Sequence, residues 1–216
     1  MHFAADLASL IWNLGLIRKD FYLLWSYCRL MPLFLLAFII FSAFSSDGQS
    51  PFFIYYPCIL SSVLPVNLLA YDDAEHWLTY CDTLPVTRRQ YVSGKYIMSL
   101  ICAGTIFLLS AVAAVVRLCR SGTFNPADLT DQMAVLAMIS LLSSALTMPP
   151  LFKFGAQKGR IVFIGVVGIF CGLTAILDTP DLSGVSLPIA LLPILAMVIF
   201  AVSWLLSIRF YEKREI

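Results

Sequence analysis

Acidic and imidazole side chains cluster once in this 216-residue sequence, at Asp72, Asp73, Glu75 and His76. Such groups can hold a metal ion, but side chains at i and i+1 of a helix do not face each other. The cluster therefore reads as a solvated face. The two histidines are His2 and His76, and no His-Glu-x-x-His pair offers zinc ligands. Gly155-Ala156-Gln157-Lys158-Gly159-Arg160 carries glycines and positive charge, yet it lacks the spacing of a phosphate loop and a strand before it. It reads as a basic loop. No Gly-x-Ser-x-Gly elbow is present. The six cysteines, at positions 28, 58, 81, 102, 119 and 171, form no Cys-x-x-Cys pair, and most lie in apolar runs. They read as small buried hydrophobes. No catalytic residue, cofactor site or metal site is expected in the chain.

The most detailed local signals lie between Tyr71 and Lys95. Thr87 followed by Gln90 is a capping-box pattern, in which the hydroxyl takes the N3 amide and the Gln side chain reaches back. Val86 and Tyr91 flank it at staple positions. The spacing predicts a helix beginning at Arg88. Pro85 ends any helix before it, because the residue preceding a proline avoids the α region. Asp72 or Asp73 can cap, and Glu75 can charge, the start of a short helix reaching about Tyr80. Two helical pieces with a sharp Leu84-Pro85 break result. They fit a lever pressed by a partner and a plain capped hairpin equally well.

These signals sit in a chain made for a bilayer. It is 60% hydrophobic and 12% charged, with a mean hydropathy of +0.89. Soluble domains carry about 45–50% apolar and about 25% charged residues. So little charge cannot coat a water-facing surface, which excludes an ordinary soluble enzyme, and the hydrophobicity excludes a disordered chain. A net charge of +1 argues against nucleic acid as a partner. Uncharged runs at residues 30–46, 48–71, 96–116, 132–152, 161–177 and 182–208 are long enough for membrane helices, which need about 17–25 residues. The expected fold is an all-α membrane protein with six transmembrane helices. Continuous rather than alternating hydrophobicity excludes a barrel.

With the N-terminus inside, cytoplasmic segments hold 12 of the 14 Lys and Arg, leaving Arg117 and Arg120 outside. This is the asymmetry of the positive-inside rule, and it makes both termini cytoplasmic. Asp6 interrupts the first apolar stretch and no basic segment precedes it, which speaks against a cleaved signal peptide. Leu7, Leu10, Ile11, Leu14 and Phe21 keep near-helical spacing opposite Asp6, Ser9 and Asn13. Trp12, Tyr22, Trp25 and Tyr27 suit the headgroup zone. Residues 1–25 therefore read as an amphipathic interfacial helix, bent near Gly15 or Lys19-Asp20.

Within the runs, Ser61, Ser62, Asn67, Ser143, Ser144 and Thr147 can line a pathway, or bond neighbouring helices and their own backbone. Pro57 and Pro65 should kink the second span, and Pro149-Pro150 should break the fourth near its inner end. Gly165, Gly168 and Gly172 share a face of the fifth, for close helix packing or a subunit contact. Charged residues deep within the spans, the mark of proton-coupled pumps, are missing.

Ile17-Arg18-Lys19-Asp20-Phe21-Tyr22, Glu75, Thr83-Leu84-Pro85-Val86-Thr87-Arg88-Arg89-Gln90-Tyr91-Val92 and Gly94-Lys95-Tyr96 carry a resemblance. The chain resembles the six-span permease subunit of the type-2 class of ABC exporters, in the small bacterial branch that includes the phenol-soluble-modulin exporter permeases. The Asp72-Asp73 pair and His76 fall outside that pattern. The resemblance implies that residues 72–95 form a cytoplasmic coupling loop, whose helix docks on a separate ABC ATP-binding subunit. Glu75, Tyr80, Leu84, Pro85, Thr87, Arg88 and Arg89 are then the ATPase-coupling residues, and ATP and Mg belong to that partner. It further implies a bacterial cytoplasmic membrane and an amphipathic peptide or other hydrophobic cargo.

The function expected is therefore that of the transmembrane subunit of an ATP-driven exporter. Residues 1–216 form one six-span domain that supplies half of a pathway, and a second copy or a paralogue completes it. Asn67, Ser143 and Thr147 are the candidates for lining that pathway, or else for packing. A non-transporting membrane anchor or accessory subunit explains the capped loop without a pathway. A membrane-embedded hydrolase needs a convergent nucleophile and base, or metal ligands, and the sequence offers neither.

Overall fold

The computed structural model describes residues 15–26, 29–44, 52–81, 83–84, 86–121, 126–177 and 191–212. Among them every long element is an α-helix. In chain order these are α1 (Gly15–Ser26), α2 (Leu30–Phe44), α3 (Phe52–Leu60), α4 (Val63–Ala74), α5 (Trp77–Cys81), α6 (Arg88–Ser121), α7 (Pro126–Phe154), α8 (Ala156–Leu177) and α9 (Leu192–Glu212). Four stretches are long and apolar enough to cross a bilayer: Ile54–Ala74, Arg88–Arg120, Leu129–Phe154 and Leu192–Glu212. The pair α1 and α2, bent by 71°, makes a fifth if taken as one span. The run expected to cross at 30–46 is helical over only 15 residues in α2. In α8 the apolar helix is the shorter Ile161–Phe170.

Of the expected interfacial helix, residues 1–14 lie outside the described residues. The described part, α1, runs unbroken through Lys19-Asp20, so the bend expected there is absent. The change of direction falls between α1 and α2. Part of the sixth expected span, 182–190, also lies outside the described residues.

Prolines shape two of the spans in different ways. Pro65 removes the N–H that would bond the Ser61 carbonyl. The Leu64 N–H takes that carbonyl instead at 3.3 Å, and a turn separates α3 from α4. The Ser61 and Ser62 hydroxyls donate to the carbonyls of Cys58 and Ile59 at 2.7 and 3.1 Å. Backbone groups loosened at the turn are thus satisfied inside the apolar layer, where leaving them bare is costly.

The break expected at Pro149-Pro150 does not occur: α7 runs through both to Phe154. Pro149 deprives the Ala145 carbonyl of its helical donor, and Ser203 Oγ on α9 donates to that carbonyl at 2.7 Å. A neighbouring helix repairs the gap. α7 ends instead at Gly155, whose φ of 80° is the left-handed conformation that glycine supplies at helix ends. The segment from Gly155 to Arg160 is accordingly a corner and the first turn of α8 rather than a loop. Gly159 presses on Leu151 there and leaves no room for a Cβ. At Gly165, Gly168 and Gly172, by contrast, an added Cβ would meet nothing within 4 Å. No described helix of this chain packs on that stripe.

Helix ends meet at two poles. At the charged pole, α1, the end of α4, the start of α6 and the ends of α7 and α9 converge, through Lys95 with Asp20 and Asp72, Tyr96 with Phe152, and Tyr91 with Tyr211. At the opposite pole Arg120 donates to the Phe44 carbonyl at 3.3 Å, joining the ends of α6 and α2. One core cluster is mainly aliphatic, including Leu35, Ile39, Ile54, Cys58, Ile106, Leu136 and Phe170. The other, near the charged pole, is rich in aromatics: Tyr91, Tyr96, Phe152, Phe200 and Tyr211. Cys58, Cys81 and Cys102 are free and buried, as the composition suggested, whereas Cys119 is free and exposed.

Candidate functional site

The connection from α4 to α6 is built from local signals. α4 continues past Asp72 and Asp73 to Ala74, so neither aspartate caps the next helix. The Glu75 N–H bonds back to the Tyr71 carbonyl at 3.0 Å. His76 takes a φ of 51°, a left-handed turn uncommon for a non-glycine residue. The short helix α5 then begins at Trp77. The Thr83 hydroxyl closes it by donating to the Tyr80 carbonyl at 2.7 Å. The capping box forms as expected. The Thr87 N–H donates to Gln90 Oε1 at 2.9 Å, the Gln90 N–H donates to Thr87 Oγ1 at 3.3 Å, and α6 starts at Arg88. Val86 packs on the aromatic cluster.

Asp72 overturns the solvated-face reading, because it is only 2% exposed. Its Oδ1 accepts from Lys19 Nζ at 2.7 Å, and its Oδ2 from Lys95 Nζ at 2.6 Å and from the Tyr91 hydroxyl at 2.8 Å. Lys95 Nζ also reaches Asp20 Oδ1 at 2.7 Å, and Lys19 lies 3.6 Å from the same oxygen. Two ammonium groups and two carboxylates thus close a four-charge lattice joining α1, α4 and α6. The side chains of Asp20, Asp72 and Lys95 are each 3% exposed. Tyr91 and Lys95 can share Asp72 because they stand at i and i+4 on one helix face. Lys19 also lies over the Trp77 ring of α5, 3.9 Å from its centroid. Burial pushes the Lys19 ammonium below its ordinary lysine pKa and nearby Lys95 adds to this, while Asp72 and Asp20 oppose it. A cavity of about 220 Å³ adjoins the lattice, lined by Lys19, Leu23, Tyr71, Asp72, Glu75 and Trp77.

Next to Lys95 on α6, Tyr96 forms a second buried polar group. Its hydroxyl lies 2.6 Å from Ser207 Oγ and 2.8 Å from Ser203 Oγ. Ser203 spends its proton on the Ala145 carbonyl. It therefore accepts from Tyr96, which accepts in turn from Ser207, since each hydroxyl carries one proton. The Tyr96 ring stacks between Trp204 at 5.8 Å and Phe152 at 6.3 Å. Directional contacts thus tie α6, α7 and α9 together just beyond the charge lattice.

The sequence profile of the ABC-2 family transporter proteins matches residues 15–212, spanning every helix described above. The chain belongs to the ABC-2 transporter family. This ABC-2 protein is a multi-pass membrane protein, the transmembrane subunit of an ABC transporter, and its family implies an ATP-binding partner subunit. No curated protein and no solved structure gives a significant match to it.

In this ABC-2 subunit the residues singled out from the sequence fall into two groups. Glu75, Tyr80, Thr87 and Arg89 are exposed around the α4–α5–α6 connection, Leu84 and Arg88 are half-buried, and Pro85 lies outside the described residues. Arg89 pairs with Glu212 at the end of α9. Asn67 is half-buried. Ser143 and Thr147 are buried and spend their hydroxyls on backbone: Ser143 on the Ser140 carbonyl at 3.1 Å, Thr147 on that of Ser143 at 2.9 Å. These bonds are of the kind by which buried hydroxyls pack within a helix. Among the described residues no three His, Cys, Asp or Glu side chains group to hold a metal.

The lattice of Lys19, Asp20, Asp72 and Lys95 and the Tyr96–Ser203 chain were not anticipated. The signals were present but faint. Lys95 directly precedes the uncharged run 96–116 and shares a helix face with Tyr91. Pro149 announces an unpaired carbonyl at Ala145.

Proposed function

We propose that this subunit is half of an ATP-driven exporter and performs no bond chemistry itself. It crosses a bacterial cytoplasmic membrane six times with both termini in the cytoplasm. A separate ATPase docks on α5 and the turns flanking it, and a second copy or a paralogue completes the pathway. The cargo is an amphipathic peptide or a similarly membrane-partitioning molecule, in keeping with the uncharged spans.

The observation that carries this reading is the construction of the α4–α5–α6 connection. Its outer side chains, Tyr80 (55% exposed) and Arg89, face away from the core. On its inner side the charge lattice ties α4 and α6 to each other and to α1. A push on the exposed side has a firm path into the bundle. The six uncharged runs of the sequence support six crossings, and four long apolar helices stand among them. The charged pole gathers Arg18, Lys19, Arg88, Arg89, Lys95, Lys153 and Arg209, as a cytoplasmic face does.

The test is co-purification. Tyr80→Glu combined with Arg89→Glu should lower recovery of the ATP-binding subunit at least tenfold while membrane insertion stays unchanged. Undiminished recovery would move the contact away from α5. For the cargo, ATP hydrolysis by the complex in proteoliposomes should rise on adding an amphipathic helical peptide. A response to none of a panel of such peptides would remove them as cargo.

A further inference from the structure

The lattice has a geometry that bears on how movement passes through the subunit. Asp72 sits in the last turn of α4, just before the helix that we propose the ATPase presses. Lys95 lies on α6, and Lys19 and Asp20 on α1. Each charge has two opposite charges within 3.6 Å, and Tyr91 adds a neutral donor at 2.8 Å. Sliding α1 along α6 by one residue would pull Lys95 from Asp20, leaving both in a site where each is 2% exposed. Uncompensated buried charge is among the most costly outcomes in a protein interior. The lattice therefore resists small relative motions in every direction, which a single surface ion pair does not. Lys19 extends the attachment to α5 through the Trp77 ring.

We propose that Lys19, Asp20, Asp72 and Lys95 are positioning residues that clamp α1, the end of α4 and the start of α6 into one rigid block, so that a push on α5 moves all three together. Rearrangement during transport then takes place farther along the bundle. This rests on the functional reading above for the source of the push. The rigidity itself does not depend on it.

Backbone proximity supplies a direct test. A Cβ at Gly94 would lie 4.0 Å from the Leu16 Cβ, with nothing nearer, within the Cβ–Cβ range of about 3.5–4.5 Å for disulfides. The double variant Leu16→Cys with Gly94→Cys should form that bond under mild oxidation, identified by mass spectrometry of the digested chain. Its yield should be the same in nucleotide-free and ATP-bound complexes. The oxidised complex should keep at least half of the ATP-driven turnover of the reduced one. Absence of the bond overturns the proposal. So does a fivefold difference in yield between the two states, or a tenfold loss of turnover that reductant restores.

A second variant separates positioning from mere stability. Asp20→Leu with Lys95→Met removes one charge of each sign and leaves the Lys19–Asp72 pair. Its melting temperature and its recovery of the ATPase should stay near wild type, while cargo-stimulated turnover falls at least tenfold. Normal turnover in a stable double variant overturns the clamp. Failure of the unaltered subunit to bind any ATPase would instead sink the functional reading, and the disulfide yield in the subunit alone would still decide the clamp.

Discussion

The two poles of the bundle are held by different physics. At the charged pole, α1, α4 and α6 meet through three buried charges and the half-buried Lys19, and α6, α7 and α9 through a hydroxyl chain and stacked rings. These contacts have direction, and each fails if its partner shifts by an ångström or two. Toward the opposite pole, α2, α3, α6 and α8 meet through Leu35, Ile39, Ile54, Ala113, Ala114 and Phe170, with Arg120 on the Phe44 carbonyl at the edge. Lipid is as apolar as these side chains, so only close packing favours their association. The first arrangement defines one geometry, whereas the second tolerates several. The proposed mechanism, in which the subunit is driven from one end and opens at the other, would use that division.

The sharpest way to break the comparison is at Asp72. Asp72→Ala strips three donors of their acceptor and leaves Lys95 and Lys19 facing only Asp20. Removing one partner from a buried ion pair costs about 3–5 kcal/mol. Thermal unfolding of the detergent-solubilised subunit should show the largest loss of any single substitution discussed here. A loss below about 1 kcal/mol, the range of exposed ion pairs, would mean that water reaches the lattice and that the two poles do not differ in kind.

Tyr96→Phe comes next. It keeps the ring between Trp204 and Phe152 but breaks the chain from Ser207 through Ser203 to the Ala145 carbonyl. Each of two serines loses a partner, although Ser203 keeps its bond to the carbonyl. A cost of about 1–3 kcal/mol is expected, that of an unsatisfied buried polar group. Ser203→Ala should cost a similar amount, because it again orphans the carbonyl that Pro149 leaves free. If Ser203→Ala costs nothing, the continuity of α7 through Pro149-Pro150 has another cause.

How much of this was legible in the sequence follows from the range of each interaction. The capping box at Thr87 and Gln90, the helix start at Arg88 and the short helix ending near Tyr80 are contacts within a few residues, and the sequence states them directly. The apolar runs gave an all-helical membrane fold, again a property of single segments. The lattice was hidden because its members are 53 and 75 residues apart along the chain. Asp72 looked solvated because its neighbours Asp73, Glu75 and His76 are polar, and only the approach of α1 and α6 buries it. The continuity of α7 was hidden for the same reason. Proline rules describe one helix, and the repairing hydroxyl comes from α9, 58 residues away.

The gentlest test sets the capping box against the far packing. Thr87→Ala removes the hydroxyl that accepts the Gln90 N–H, and such N-cap losses cost about 1 kcal/mol. Ile39→Val near the opposite pole removes one methylene from the aliphatic cluster and costs about 0.5–1.5 kcal/mol. The two should therefore lower the melting temperature by similar amounts, although they act at opposite ends. They should differ in kind when the ATPase is bound. Thr87→Ala loosens the start of α6 beside the exposed face proposed for docking, so its effect on ATPase recovery should exceed that of Ile39→Val. Equal effects of both on ATPase recovery would show that docking responds to global stability alone, and that the charged pole is no more privileged as a lever than the apolar one.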